Sequence, residues 1–117
     1  MSQPAANWVT VAQKSALAPA SAIGVTIGRL DIAIYNVGGA LYATDNICPH
    51  ADGYLNHGWL EDDIIECPLH GARFEVKTGK GVDGPFGCDL KTFAVRVVGE
   101  DIQVDIPAET PELPQPL

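Results

Sequence analysis

The run RLDIAIYNVGGALYAT, Arg29 to Thr44, decides the fold. Leu30, Ile32 and Ile34 recur at period two, the alternation of a half-buried strand. Gly38 and Gly39 then stand side by side, and two glycines accept the positive φ angles that a tight hairpin turn demands. ALYAT, Ala40 to Thr44, returns as the partner strand. Similar punctuation repeats on both sides of this hairpin. Upstream lie WVTV (Trp8 to Val11) and AIGVTI (Ala22 to Ile27). Downstream, WLEDDIIE (Trp59 to Glu66) predicts two short strands around an acidic turn at Glu61 to Asp63. FEV (Phe74 to Val76) runs into the turn TGKG, and LKTFAVRVV (Leu90 to Val98) pairs with IQVDI (Ile102 to Ile106) across Gly99 to Asp101. There is no internal repeat and no sustained helical period. The expected class is all-β, an antiparallel sandwich or barrel with one inserted site.

At 117 residues the chain has the size of one domain, given roughly 100–200 residues per domain. Seven basic and 15 acidic residues give a net charge of −8. Such a surface repels nucleic-acid phosphates and anionic lipid. It favours partners with basic docking patches, mainly through association rate. No apolar run approaches the ~18 residues of a membrane span. The start, MSQPAAN, lacks the basic and apolar regions of a signal peptide. A cytoplasmic location is expected. Residues 107–117, PAETPELPQPL, block helix and sheet with proline and predict a flexible tail after a domain spanning 1–106.

The chemistry lies in CPH, Cys48 to His50, and CPLHG, Cys67 to Gly71. Cys48, Cys67 and Cys88 make an odd count, which argues against a disulfide framework and for metal binding or reactivity. The pattern is C-x-H, sixteen residues, then C-x2-H. Thiolate and imidazole together suit zinc, copper or iron–sulfur chemistry. A structural zinc module is one reading, although its usual spacing pairs Cys with Cys and His with His. Here each motif is mixed, which fits a binuclear cluster whose two irons take unequal ligands. A Cys–His nucleophile, Cys67 with His70 or His50, would leave the other motif unexplained. Elsewhere, Cys88 reads as a small buried hydrophobe and His57 as an exposed turn residue. Asp62 and Asp63 read as a solvated turn, and Trp8 and Trp59 as core or edge packing.

The two boxes resemble those of Rieske proteins. Their surroundings are similar to the small Rieske-type ferredoxin components of bacterial aromatic-ring-hydroxylating dioxygenase systems. The segments that carry the likeness are LYATDN (Leu41 to Asn46), DGYL (Asp52 to Leu55), IIE (Ile64 to Glu66), RFEVKTGK (Arg73 to Lys80) and KTFAVRV (Lys91 to Val97). The resemblance implies one [2Fe-2S] cluster, with Cys48 and Cys67 on one iron and His50 and His70 on the other. It implies a cluster-binding subdomain at about residues 45–87, inserted in an antiparallel base, with a proline loop at 84–87 over the cluster. The implied role is electron carriage from a flavoprotein NAD(P)H-dependent reductase to a terminal Rieske oxygenase. The carrier would itself be no enzyme, and would be monomeric. Pro49, Leu69 and Pro85 would join the histidines in a docking tip. A Rieske-like nitrite reductase subunit is a second relative, but many of those lack the ligands. An oxygenase chain would need a mononuclear iron site, for which no histidines remain beyond His57.

Departures from the respiratory branch are informative. Its interloop disulfide positions correspond to Gly53 and Leu69, so that bridge cannot form. Its hydroxyl donors to cluster and cysteine sulfur correspond to Ala72 and Phe74, which have none. Hydrogen bonds to sulfur favour the reduced, more negative state. Their loss predicts a potential near the low end of the Rieske range, roughly −150 mV.

Overall fold

Glycine pairs and period-two runs do shape the chain as the sequence suggests. In a computed structural model, residues 7–48, 53–69, 71–82 and 89–106 are described. The first strand, β1, is Trp8–Gln13. β2 (Ser21–Ile27), β3 (Leu30–Val37) and β4 (Ala40–Asp45) follow as consecutive hairpins. Gly38 and Gly39 take φ of 60° and 100°, the pair of positive values that lets Val37 oppose Ala40 directly. A 3-10 turn, Leu55–His57, leads into β5 (Trp59–Glu61), β6 (Ile64–Glu66) and β7 (Arg73–Glu75). The last strands are β8 (Thr92–Phe93), β9 (Val95–Val98) and β10 (Asp101–Asp105).

These make three antiparallel sheets, in the orders β1-β10-β9, β2-β3-β4-β8 and β5-β6-β7. The class is all-β. Two details differ from the sequence reading. β3 is not half-buried, because both of its faces are covered from Ile32 to Asn36. Ile32 and Ile34 point into a core with Leu17, Ala43, Phe93, Ile102, Val104 and Ile106. Ala33 and Tyr35 point the other way, into a core with Cys48, Leu55, Ile65, Cys67, Ala72, Phe74, Val76 and Leu90. The second difference is at 90–98. That stretch is two strands in two sheets, β8 on β4 and β9 on β10, with Ala94 as the step between them.

β3 is therefore the partition of the molecule. One face belongs to the base and the other to the layer that carries both described cysteines. Among the described residues no helix is long and apolar enough to cross a membrane.

Candidate metal centre

Each box begins where a strand ends, and each is closed in the same way. Asn46 and Ile47 extend β4, and Ile47 bridges Tyr54 on the returning chain. The Cys48 N–H then donates to the Gly53 carbonyl at 2.9 Å. Cys67 follows β6, and its N–H donates to the Ala72 carbonyl at 2.8 Å. The Gly71 N–H donates back to the Cys67 carbonyl at 3.1 Å, with φ of +72° at Gly71. Both cysteines thus open a loop that is shut five residues on. His50 and His70 fall within those two spans in sequence.

The loops meet. A Cβ placed on Gly53 would lie 2.9 Å from Leu69 Cγ and 3.5 Å from Cys67 Sγ. The return of the first loop therefore rests on the side chain of the second and beside its thiol. A Cβ there would force the Leu69 side chain to shift. Cys48 and Cys67 are 2% and 0% exposed and share one apolar core. Two thiols withdrawn from water on facing loops suit a soft metal, and Gly53 adds no side chain beside Cys67. The described part of the donor set fits an iron–sulfur group.

Ala72 and Phe74, 2% and 1% exposed, line the same core without a hydroxyl. The tyrosine in that core is Tyr35, which the sequence reading passed over. Thr44 donates its hydroxyl proton to the Asp45 carbonyl at 2.8 Å. Tyr35 must therefore be the donor in its 2.9 Å contact with Thr44 Oγ1. Burial pushes the Tyr35 phenol far above its ordinary value, so it stays neutral. Asp45, half-buried beside this pair, is also raised by burial, with the Lys91 N–H and the Lys91 charge opposing.

Pro49, His50, His70, the 84–87 loop, Cys88 and the 107–117 tail lie outside the described residues. His57 is exposed at the end of the 3-10 turn, with its ring edge-on to Tyr54 at 5.7 Å. Asp62 and Asp63 form the β5–β6 turn, and Asp63 meets Lys77 at 3.8 Å. Trp8 is edge packing, with the Arg96 guanidinium 4.3 Å from its ring centroid. Trp59 departs from the packing expected of it: it is 62% exposed on the edge strand β5. Sequence reasoning also missed Asn46 and Asn56, which tie the first loop together. Their signal, two asparagines ten residues apart, is too common to single out.

Comparison with known proteins agrees with this geometry. The chain is 36% identical to the ferredoxin component of the naphthalene 1,2-dioxygenase system of Pseudomonas putida, over 86% of its own length and 96% of the relative's. It is 44% identical to the ferredoxin component of biphenyl 2,3-dioxygenase of Rhodococcus jostii (strain RHA1), over 77% and 84% respectively. Among solved structures it is similar to a chain in the complex of reduced oxygenase and oxidized ferredoxin of carbazole 1,9a-dioxygenase. That match has a TM-score of 0.78 and 35% identity, covering 84% of this chain and 92% of that one. Residues 7–94 match the Rieske [2Fe-2S] domain, and the chain belongs to that family of iron–sulfur proteins.

Proposed function

We propose that this protein is the ferredoxin of an aromatic-ring-hydroxylating dioxygenase system. It takes one electron at a time from an NAD(P)H-dependent flavoprotein reductase and delivers it to a terminal Rieske non-haem iron oxygenase. The observation that supports this best is the paired construction of the two boxes. Two loops, each opened by a buried cysteine and shut five residues on, rest against one another at Gly53 and Leu69. The relatives named above are ferredoxin components of such systems.

In this reading Cys48 and Cys67 hold the inner iron and His50 and His70 the outer one. The bound group supplies a reversible one-electron couple at neutral pH. The protein supplies the rest. The apolar layer of Leu55, Ile65, Phe74 and Val76 keeps water from the thiols, which limits solvent reorganisation as charge changes. Leu69, 59% exposed on the second loop, presents apolar surface beside the site. In this reading Leu69 contributes to a small docking tip, in a molecule whose negative charge speeds encounter with basic partners. The protein makes and breaks no substrate bond, acts as a monomer in the cytoplasm, and needs no membrane or nucleic acid. The cluster-binding unit spans about residues 45–87 within a single domain.

The test is reconstitution. The purified chain should be coloured, with the paramagnetic signal of a mixed Cys–His cluster on reduction. It should restore aromatic hydroxylation to a reductase–oxygenase pair of this class that lacks its ferredoxin. A colourless, zinc-containing protein would sink the proposal. So would a coloured one that accepts no electron from any such reductase.

A further inference from the structure

The loop that carries Cys48 is tied to its own return by one buried side chain. Asn46, 4% exposed, bonds through all four of its polar atoms. Its N–H donates to the Asp31 carbonyl at 2.8 Å, an anchor on β3. Its carbonyl accepts the Leu55 N–H at 2.7 Å. Its Oδ1 accepts the Asn56 N–H at 2.9 Å, and its Nδ2 donates to Asn56 Oδ1 at 2.8 Å. One bond reaches the base and three reach across the loop.

β2 supplies the seat for this pair. A Cβ on Gly24 would lie 2.7 Å from Asn46 Nδ2 and 2.8 Å from Asn56 Oδ1. Those two atoms are bonded to each other, so neither can yield without breaking the pair. The amides lie flush on the β2 backbone because position 24 has no side chain. The 3-10 turn that carries Asn56 packs on β2, where this contact lies, and on β3.

Two bonds link the Asn46 amide to Asn56, one to its side chain and one to its backbone N–H, and such a directional pair has one arrangement, whereas an apolar contact could slide. We propose that the Asn46–Asn56 pair, seated on Gly24, is a positioning bracket for the first ligand loop. It fixes where the chain leaves β4 at Cys48 and returns at Gly53, and so constrains the presentation of Cys48 and His50 to the cluster. The inference rests on the reading of Cys48 and His50 as ligands. Asn46, Asn56 and Gly24 bind no iron themselves. Without the side-chain bracket, backbone contacts such as the Leu55–Asn46 and Cys48–Gly53 bonds and the Ile47–Tyr54 bridge still hold the loop stem, but the ligands gain freedom.

The experiment compares the full-length cluster-loaded protein with Asn46→Ala, Asn56→Ala and Gly24→Ala. Val25→Ala is the control, since Val25 packs on the opposite, base core. The readouts are the paramagnetic resonance g-values of the reduced protein, its midpoint potential, and iron release to a ferrous chelator. The three bracket variants are expected to shift g-values and potential in common and to release iron about tenfold faster, the equivalent of one net hydrogen bond. Val25→Ala should lower the unfolding midpoint and leave the spectrum and potential alone. If Asn56→Ala and Gly24→Ala lose stability but keep wild-type g-values and potential, the bracket is a structural tie only and the proposal fails. Should Asn46→Ala not load, Asn56→Ala decides, since it keeps the backbone bonds of Asn46. A wild-type protein without the Cys–His cluster signal would instead overturn the ligand reading beneath the bracket.

Discussion

Ala72 accepts the Cys67 N–H through its own carbonyl, which holds its Cα at a fixed offset from that thiol. A serine there would place a hydroxyl beside the sulfur without moving the chain. A donor to sulfur favours the reduced state by about 1–1.5 kcal/mol. At about 59 mV per tenfold for one electron, Ala72→Ser should raise the midpoint by roughly 40–60 mV. Phe74→Tyr should act in the same direction, at more cost, because Phe74 is fully buried and the added oxygen must find room. A redox titration in which neither variant rises would show that absent hydroxyls do not set the potential. Asp45 gives a second test at this scale. Its folded pKa is raised, so the native state holds its proton more tightly than the unfolded chain does. This group therefore favours folding at acid pH and loses that contribution as pH rises through its folded pKa. Asp45→Asn keeps an acceptor for the Lys91 N–H and should stabilise at pH 7 by a few tenths of a kcal/mol, given solvent screening of a half-exposed carboxylate. The gain should vanish toward the ordinary carboxylate range, as followed by melting temperature against pH. Residues of this kind divide by how much they announce themselves. Cys48 and Cys67 stand out in the sequence because few roles other than the proposed ligation explain two thiols in two such boxes. The weight of Gly24, Asn46 and Tyr35 does not show in the sequence, because their partners lie 9 to 32 positions away and only folding brings them together.

The hairpins are where sequence and structure agree best. A turn residue, a period and a partner strand are all local, as the pairs β2–β3, β3–β4 and β5–β6 show. The divided stretch at 90–98 is where local pattern fails. β8 and β9 keep one alternation in sequence, yet they serve different sheets, and nothing in the period marks the step at Ala94. The burial of both faces of β3 was hidden for a related reason. Ala33 and Tyr35 look like an outer face until a second layer is laid on them. Close approach between elements is equally silent, and Gly79 shows its weight. Its N–H donates to the Glu75 carbonyl, and its carbonyl accepts the Leu90 N–H, both at 2.7 Å. A Cβ there would lie 2.1 Å from the Leu90 carbonyl oxygen, at φ of +81°. Gly99, in the β9–β10 turn, has φ of +62° but nothing within 4 Å of its would-be Cβ. Gly99→Ala should therefore cost only the left-handed strain, about 1–2 kcal/mol. Gly79→Ala adds the collision that drives Leu90 out of the cluster-side core, and should cost about 3 kcal/mol or more. Urea unfolding of both variants separates the two effects. Equal losses would mean that backbone angle alone matters at Gly79.

At the scale of the molecule, β3 divides two cores that depend on different things. The base core is made of Leu17, Ile32, Ile34, Ala43, Phe93, Ile102, Val104 and Ile106, aliphatic and aromatic side chains with no cysteine among them. Each full burial of an Ile, Leu or Phe side chain contributes about 1.5–3 kcal/mol, and this set needs no metal. The other core contains both described cysteines, and its own sheet is three strands of three residues each. A unit of about 40 residues lies near the size below which a metal or a disulfide is usually needed to hold a fold. Here the position that could have supplied a bridge is Gly53, packed on Leu69, so the iron is left as the fastener. Removing iron with a chelator under reducing conditions should thus loosen one side of β3 and spare the other. Hydrogen exchange should show peptides from β5, β6 and β7 losing protection in the apo-protein, while those from β1, β9 and β10 keep it. β3 itself should hold an intermediate place, since β2 and β4 still pair with it while the layer over Ala33 and Tyr35 has opened. A single cooperative collapse of both sides would show that the cores stabilise one another across β3. Full protection everywhere would show that the second core stands without its metal. The asymmetric result is expected because the two faces of one strand have been given unequal means of staying folded.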